Sequence, residues 1–590
     1  MKISAHGERT NKLLVKKMME YLFPTMLTMA ALSLNEFVDS MLVSNLLGSE
    51  AMAIVGLGSP IMMIFAATYT LLGNGGATLY ALSLGKRDTD TAAKAFRLSI
   101  AAALAFGLLA ILAGFIFFSP ICRLLCSDPL LMDGFQPYFR ALLFSAPFII
   151  TILTLVEFLP PSGAPKIATA VNLVANIVNL ALDYVYIRLF HMGVEGAAYA
   201  TLSGYIAAAL IVAYVVLRRK VNIPKARVKL GDFRILGEIL GLGSPSAVSQ
   251  LGFALKFAFC NAQAILYGGT AGVVAYSLCN QTISIVSVFL AALAGASIPL
   301  IAVLHGQRDF RGETALLKTV MLMNAVLAVL CFAGFMLFAA PLANLYNITD
   351  TAELALAVKA VRIFSIMYLA RGFYMIFMKY LQVSGRKLYS MFISVFDGFG
   401  GIIVVAYIMG KLLGIDGLWY AFPITSFILL AIMLVWNRSI VGASNGAVSG
   451  LLLSPREDQA EKVFDVTIFE DGKSISDISE ALQNFCTSNG IDIRSAAHAA
   501  LCVEEMAVYT RNHHKKNDYI DILARLYEDR IEIDFRSLGN SFNPLVVSDG
   551  DITENIQLLN GIASKLEYTY IMGMNCSRIT ILRKTGVDNV

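Results

Sequence analysis

Leu84-Gly85-Lys86-Arg87-Asp88 returns 221 residues further on as His305-Gly306-Gln307-Arg308-Asp309, and each pentapeptide is a polar break between two long apolar runs. The same offset carries Pro24 to Pro245, Gly48 to Gly269, Pro120 to Pro341, Lys166 to Lys387, and Gly193-Val194-Glu195-Gly196 to Gly414-Ile415-Asp416-Gly417. Glycine and proline mark positions where the backbone needs a special conformation, so anchors in one register signal a duplicated fold rather than shared composition. The chain up to about residue 440 therefore reads as two homologous halves.

The runs between those breaks decide the class. Of 590 residues 57% are apolar and 15% charged, with a mean hydropathy of +0.68; a soluble protein carries about 25% charged residues. Runs long enough to cross a bilayer, about 18–20 residues each, number about twelve, centred near Ala31, Phe65, Leu104, Ile149, Leu180, Ala207, Leu255, Val286, Val329, Tyr368, Val404 and Leu429. Six per half is an even number, so both halves enter the membrane in the same direction, as in transporters built from parallel repeats. Lysine and arginine gather on alternate connections: Lys12, Lys16 and Lys17, then Lys86 and Arg87, Lys166, the stretch Arg218 to Arg227, Arg308 and Arg311, Arg386 and Lys387, and Arg438. By the positive-inside rule that side is cytoplasmic, with both termini. The net charge of +4 then follows topology and suggests no nucleic-acid partner. Eight scattered cysteines form neither a disulfide framework nor a zinc pattern.

An ionisable group at bilayer depth costs about 2.5–3.5 kcal/mol on insertion scales, which makes each one a functional candidate. Glu36 and Asp39 lie three apart on one helix face. Asn172, Asn176, Asn179 and Asp183 step by four, three and four, one polar stripe that must face protein or water. The repeat places Cys260, Gly400 and Val404 opposite Asp39, Asn179 and Asp183, so the acidic cluster belongs to the first half alone. The second half instead offers Lys256, Asp397, Arg371 and Lys379, with Lys256 and Asp397 expected to pair. Glu157, ahead of Pro160-Pro161, is a further acid on a possible transport path.

These residues resemble a known family. Glu36-Phe37-Val38-Asp39 leading to Gly48, Asn179-Leu180-Ala181-Leu182-Asp183, Gly193 to Thr201 and the paired loops together make residues 10–440 similar to multidrug and toxic-compound extrusion (MATE) transporters. The resemblance implies an all-α membrane fold of twelve helices in two six-helix lobes, residues 10–220 and 221–440. It implies a cation site at Asp39, Asn179, Asp183 and Thr201, loaded by Na⁺ or by H⁺, and cation-coupled export of organic cations across the cell membrane. Oxygen ligands of this kind suit a hard cation. No cofactor is expected beyond that ion. A lipid-linked oligosaccharide flippase of the same superfamily is the alternative transporter, and a membrane-bound signalling protein acting through its tail is the alternative from another class; no Gly-x-x-x-x-Gly-Lys-Ser/Thr loop suggests ATP-powered transport.

After a linker at 441–460 the period changes. Lys462 to Phe469 alternates as a strand, Ile475 to Cys486 and Ile493 to Arg511 read as helices, Tyr519 to Phe535 as a hairpin, Ile552 to Leu566 as a helix, and two strands flank Gly573. Residues 461–590 thus form a layered α/β domain, which resembles the GHKL-type ATP-binding domain of histidine kinases and anti-sigma-factor kinases. Glu505 and His513 match the N-box, but Tyr509 stands where the Mg²⁺-binding Asn belongs, Ser537 ahead of Gly539 where the adenine-binding Asp belongs, and Gln557 where a phosphate-loop Gly belongs. Those changes remove a metal ligand, remove an adenine acceptor and block close backbone approach. The expectation is a regulatory module without ATPase activity that binds a cytoplasmic protein.

Overall fold

A computed structural model describes residues 10–126, 129–217, 232–345, 351–455, 462–469, 472–513, 518–544 and 554–583. The chain divides into two compact units, one of residues 21–309 with 317–439, the other of the residues up to Glu20, Phe310–Leu316 and the chain from Ile440 onward.

The membrane-type unit is helical throughout. Its helices are α1 (Lys12–Leu47), α2 (Ser49–Tyr69), α3 (Gly75–Gly85), α4 (Thr89–Ile116), α5 (Phe118–Leu125), α6 (Pro129–Phe158), α7 (Pro165–Tyr184), α8 (Val194–Leu217), α9 (Phe233–Gly306), α10 (Phe310–Leu345), α11 (Thr351–Ser365), α12 (Tyr368–Val383), α13 (Lys387–Val395), α14 (Gly401–Leu413) and α15 (Ile415–Ala443). Short π-helical stretches at Thr70–Asn74, Val185–Leu189 and Phe396–Gly400 join α2 to α3, follow α7, and join α13 to α14. Among the described residues nine helices are long and apolar enough to cross a membrane. The 74-residue α9 carries two of the expected spans and breaks at Gly269, whose φ of 55° and ψ of −145° leave the helical region. The expected spans around Ala31 and Tyr368 fall in α1 and at the interruption between α11 and α12, outside those nine.

The repeated loop folds identically in both places. Arg87 and Arg308 take left-handed backbone, with φ of 61° and 58°. The Asp88 amide donates to Ser83 O at 2.9 Å and the Asp309 amide to Leu304 O at 3.0 Å, closing the preceding helix in the manner of a Schellman cap. Asp88 then accepts from the Thr91 amide at 2.9 Å and caps α4. The two preceding glycines, themselves repeat partners, meet backbone to backbone. A Cβ on Gly85 would lie 2.9 Å from the Gly306 Cα, and a Cβ on Gly306 2.9 Å from the Gly85 Cα. Further along the same seam Gly75 packs on Ile239 O and Gly243, and Gly243 on Leu71 O. Only the absence of a side chain lets α3 and the chain just before it approach α9 this closely.

The second unit is a five-stranded antiparallel sheet with helices. Strands β1 (Val448–Ser449) and β2 (Ser454–Pro455) form a small separate hairpin, so the segment read as linker holds structure of its own. The main sheet is built from β3 (Lys462–Phe469), β4 (Tyr519–Leu526), β5 (Arg530–Leu538), β6 (Lys565–Ile571) and β7 (Met574–Leu582) in the order β3-β4-β5-β7-β6. Helices α16 (Gly472–Ser488), α17 (Ile493–His513) and α18 (Glu554–Ile562) complete it. Ile478, Leu482, Cys502 and Val503 bury against Ile520, Ile522, Ile533 and Ile579 in one core. The helix expected to reach Leu566 stops at Ile562, because Ser564 already donates its amide to Thr580 O at 2.8 Å and β6 begins at Lys565. Met572 and Gly573, with φ of 55° and 76°, make the two-residue turn that twisted hairpins prefer. The unit also takes in the first turns of α1: Lys16 pairs with Asp518 at 2.6 Å, Lys12 lies over the Tyr519 ring, and Lys17 Nζ sits beside Gly573.

The seam makes a prediction. Gly243→Ala and Gly306→Ala should each destabilise the protein by about 1–3 kcal/mol through overpacking, whereas Gly237→Ala, on α9 with nothing within 4 Å of its Cβ position, should be neutral or stabilising. Thermal unfolding of the detergent-purified protein measures this, and unchanged midpoints for both seam variants would contradict the close backbone packing.

Candidate functional site

The polar stripe of α7 meets α1 and α8 in the interior of the first half. Pro165, at the first turn of α7, starts the helix where a missing amide proton costs nothing. From there Asn172, Asn179 and Asp183 are buried, with no part of Asp183 reaching the surface. Asn35 of α1 donates from Nδ2 to Asn179 Oδ1 at 3.2 Å. Asn179 Nδ2 in turn lies 3.4 Å from Thr201 Oγ1 of α8, and the Thr201 hydroxyl donates to Ala197 O at 3.1 Å. Asn179 is thus fixed in orientation from both sides.

Asp39 and Asp183 lie near enough for their carboxyl groups to act on one another. Both oxygens of Asp183 and Oδ1 of Asp39 are buried without a donor, and so are Asn35 Oδ1 and the Asn176 amide nitrogen left without partners. Two adjacent carboxylates cannot both remain ionised in such a place unless a cation or a proton lies between them. Tyr138 of α6 is near enough for both carboxylates to act on it, and its ring packs at the position where Gly58 would carry a Cβ. The structure therefore gathers Asp39, Asn179, Asp183 and Thr201, and adds Asn35 and Tyr138. Asn35, one turn before Asp39, carried a helical-spacing signal; Tyr138 sits in an apolar run and carried none. The side chain of Glu36 lies outside the described residues.

The other expected polar residues stand apart from that cluster. Glu157, near the end of α6, packs against Gly73, with Cγ 3.0 Å from the Cβ position there, and the charge that acts on it is Lys379 of α12. Lys379 Nζ donates to Ser246 Oγ at 2.6 Å, as does Gln382 Nε2 at 3.0 Å. The expected pairing of Lys256 with Asp397 takes a different form. Lys256 Nζ reaches the Asp397 backbone carbonyl at 3.3 Å, while the carboxylate accepts from the Tyr374 hydroxyl at 2.6 Å and faces Arg371 at 3.6 Å. Asp397 lies in the π-helical stretch between α13 and α14.

The family model MatE matches residues 24–185 and 245–408, more than half of the chain, and the second match begins 221 residues after the first. The chain belongs to the MatE family. It is accordingly a multi-pass membrane transporter. Among relatives of the family, it is 24% identical over 423 residues to the multidrug export protein MepA of Staphylococcus aureus (strain MRSA252), covering 71% of this chain and 93% of that protein. It is also 24% identical over 418 residues to the probable multidrug resistance protein YoeA of Bacillus subtilis (strain 168), covering 69% and 90%. A solved structure of an outward-facing multidrug resistance MATE family transporter of the MOP superfamily superposes with a TM-score of 0.68 at 24% identity, over 74% of this chain and 99% of that one. A MOP superfamily transporter from Pyrococcus furiosus superposes with a TM-score of 0.67 at 24% identity, over 73% and 96%. The matched family segments end at Ile408, short of the α/β domain.

In the α/β domain Tyr509 and His513 pack among the chain's own aromatic side chains. The Tyr509 ring lies 4.1 Å from His513 and 5.6 Å from Phe542, and Phe542 lies 6.2 Å from Tyr568. Tyr568 donates to Asn575 Oδ1 at 2.6 Å, and Asn575 Nδ2 donates to Asn540 O at 3.1 Å. Burial pushes the Tyr568 phenol up to about 12 against the pull of Ser541. Ser537 is buried in β5, Gly539 follows with φ 125° and accepts from the Tyr570 hydroxyl, Glu505 is half-buried on α17, and Gln557 is exposed on α18.

Asp183→Asn should raise the thermal midpoint in Na⁺-free buffer, because it removes one of two facing charges and supplies a donor to Asp39. About 1–3 kcal/mol is the scale for satisfying such a buried group. Asn172→Ala, on the same stripe but outside the pair, should not stabilise. A lower midpoint for Asp183→Asn would mean that the carboxylates are already compensated.

Proposed function

We propose that this transporter exports organic cations or drug-like small molecules by antiport against Na⁺ or H⁺, with Asp39, Asn179, Asp183 and Thr201 as the coupling site. The observation that carries the reading is the carboxylate pair of Asp39 and Asp183, buried without donors and flanked by the amide of Asn179 and the hydroxyl of Thr201. A cation or proton satisfies those oxygens, and its departure leaves them charged. The drug-export reading is supported by the relatives named as a multidrug export protein and a probable multidrug resistance protein. Twelve spans in two lobes, residues 10–220 and 221–440, would rock about the central path, with both termini in the cytoplasm. The glycine seam between Gly85 and Gly306 supports lobes that close tightly at the end bearing the Lys/Arg-rich loops.

The domain at 461–590 acts in this reading as a regulatory module that binds a cytoplasmic protein and does not hydrolyse ATP. Its support is the aromatic packing of Tyr509, His513 and Phe542 at the place a nucleotide would need.

Transport of ethidium by the full chain in proteoliposomes, under an imposed Na⁺ or H⁺ gradient, tests the coupling. One of the two gradients should drive transport, and Asp39→Asn or Asp183→Asn should slow it by about a hundredfold, equivalent to about 2.7 kcal/mol. Transport at the wild-type rate in both variants would overturn the assignment. For the α/β domain, titration of Mg-ATP into the full-length protein should give no saturable binding, and micromolar binding would refute the reading.

A further inference from the structure

The buried charges of the second half run opposite to those of the first. Lys256 of α9 is 3% exposed and Arg371 of α12 is 7% exposed. Both are near enough to Asp397 to feel its charge, and Lys256 also feels Arg371 as a like charge. The one carboxylate is already engaged on Oδ1 by the Tyr374 hydroxyl at 2.6 Å. Arg371 stands 3.6 Å from Oδ2, beyond the length of an N–H···O hydrogen bond. Lys256 has three N–H donors, of which one reaches the Asp397 carbonyl at 3.3 Å, and its ammonium lies 5.4 Å from the centre of the Phe253 ring. Among the described residues the Arg371 guanidinium donates no hydrogen bond, its nearest ionic partner being Asp397 at 3.6 Å.

Two cations against one carboxylate leave one positive charge uncompensated. An uncompensated buried charge costs several kcal/mol, and fork-shaped arginine donors in particular call for a planar or spherical anion. The Asp39–Asp183 cluster of the first half presents the reverse, two acids with no base acting on them among the described residues. We propose that Lys256 and Arg371, with the Tyr374 hydroxyl at the edge, form a binding site for one monovalent anion, supplied as a free halide or as the carboxylate of a transported molecule. Asp397 is a positioning residue there: it holds Arg371 and Tyr374 in place and competes with the incoming anion for their donors. A transported zwitterion would find its acidic counterpart in the first half and its basic counterpart here. Anion binding at this position is an equilibrium property and stands whether or not the first-half pair couples transport to a cation.

The test is isothermal titration of the purified full-length protein in potassium HEPES, with potassium chloride and, separately, potassium benzoate. Saturable binding of at least one anion is expected. Chloride alone identifies a free halide, and benzoate alone identifies the carboxylate of a cargo; benzoate displacing chloride shows one site open to both. Lys256→Met and Arg371→Gln should weaken that binding about tenfold, and Asp397→Asn should tighten it about tenfold, since it removes the internal competitor. Tightening by Asp397→Asn is an outcome that a purely structural ion cluster does not produce. If Arg371→Gln fails to fold, Lys256→Met and Asp397→Asn carry the test. Absence of saturable binding of both anions in the wild type, or one affinity shared by wild type, Lys256→Met and Asp397→Asn, would overturn the proposal.

Discussion

A charge that leaves water must find a partner, and the interior of this transporter places charges where protein alone does not supply one. At Asp39 and Asp183 the shortfall is two negative charges; the nearest side chains are amides, a hydroxyl and the Tyr138 phenol, and no lysine or arginine faces the pair among the described residues. In low dielectric such a pair is stable only when something positive occupies it. The same helices without Asp39 and Asp183 would pack with less penalty, which is why the proposed function places ion coupling on α1, α7 and α8.

The halves share a backbone plan and differ in charge. Their loops at Arg87 and Arg308 agree in φ to within a few degrees, and their glycines meet as equals at the seam. Side chains at equivalent depth do not agree: Asn35 of the first half stands opposite Lys256, Asp39 opposite Cys260, and Asn176 opposite Asp397. Duplication fixes the glycines, because any Cβ there would collide with backbone. Charged positions are free to diverge as long as each lobe finds some partner for its own charge.

Much of this was legible in the residues. The 221-residue offset located both loops and most of the apolar helices, and the spacing of Asn172, Asn176, Asn179 and Asp183 located the polar face of α7, because helical geometry repeats with a fixed period. What spacing could not show was which helix lies opposite. Tyr138 enters the first-half site from α6 through tertiary packing, and Arg371 of α12, not Lys256, faces the Asp397 carboxylate, a pairing that helical spacing does not encode. The helix expected through Leu566 ended early for a similar reason, since pairing of β6 with β7 outweighs local helical preference. The hairpin at Val448–Pro455 escaped notice because two-residue strands leave no alternation to read.

In the proposed antiport, binding of an organic cation releases the ion held by Asp39 and Asp183. Its most direct measurement adds tetraphenylphosphonium to the purified full-length protein in weak buffer and records proton release, together with displacement of bound ²²Na⁺, for the wild type and for Asp183→Asn. The account predicts release of one of the two ions in proportion to bound tetraphenylphosphonium in the wild type and none in Asp183→Asn. Tetraphenylphosphonium binding with no release of either ion, or equal release in the variant, would contradict it.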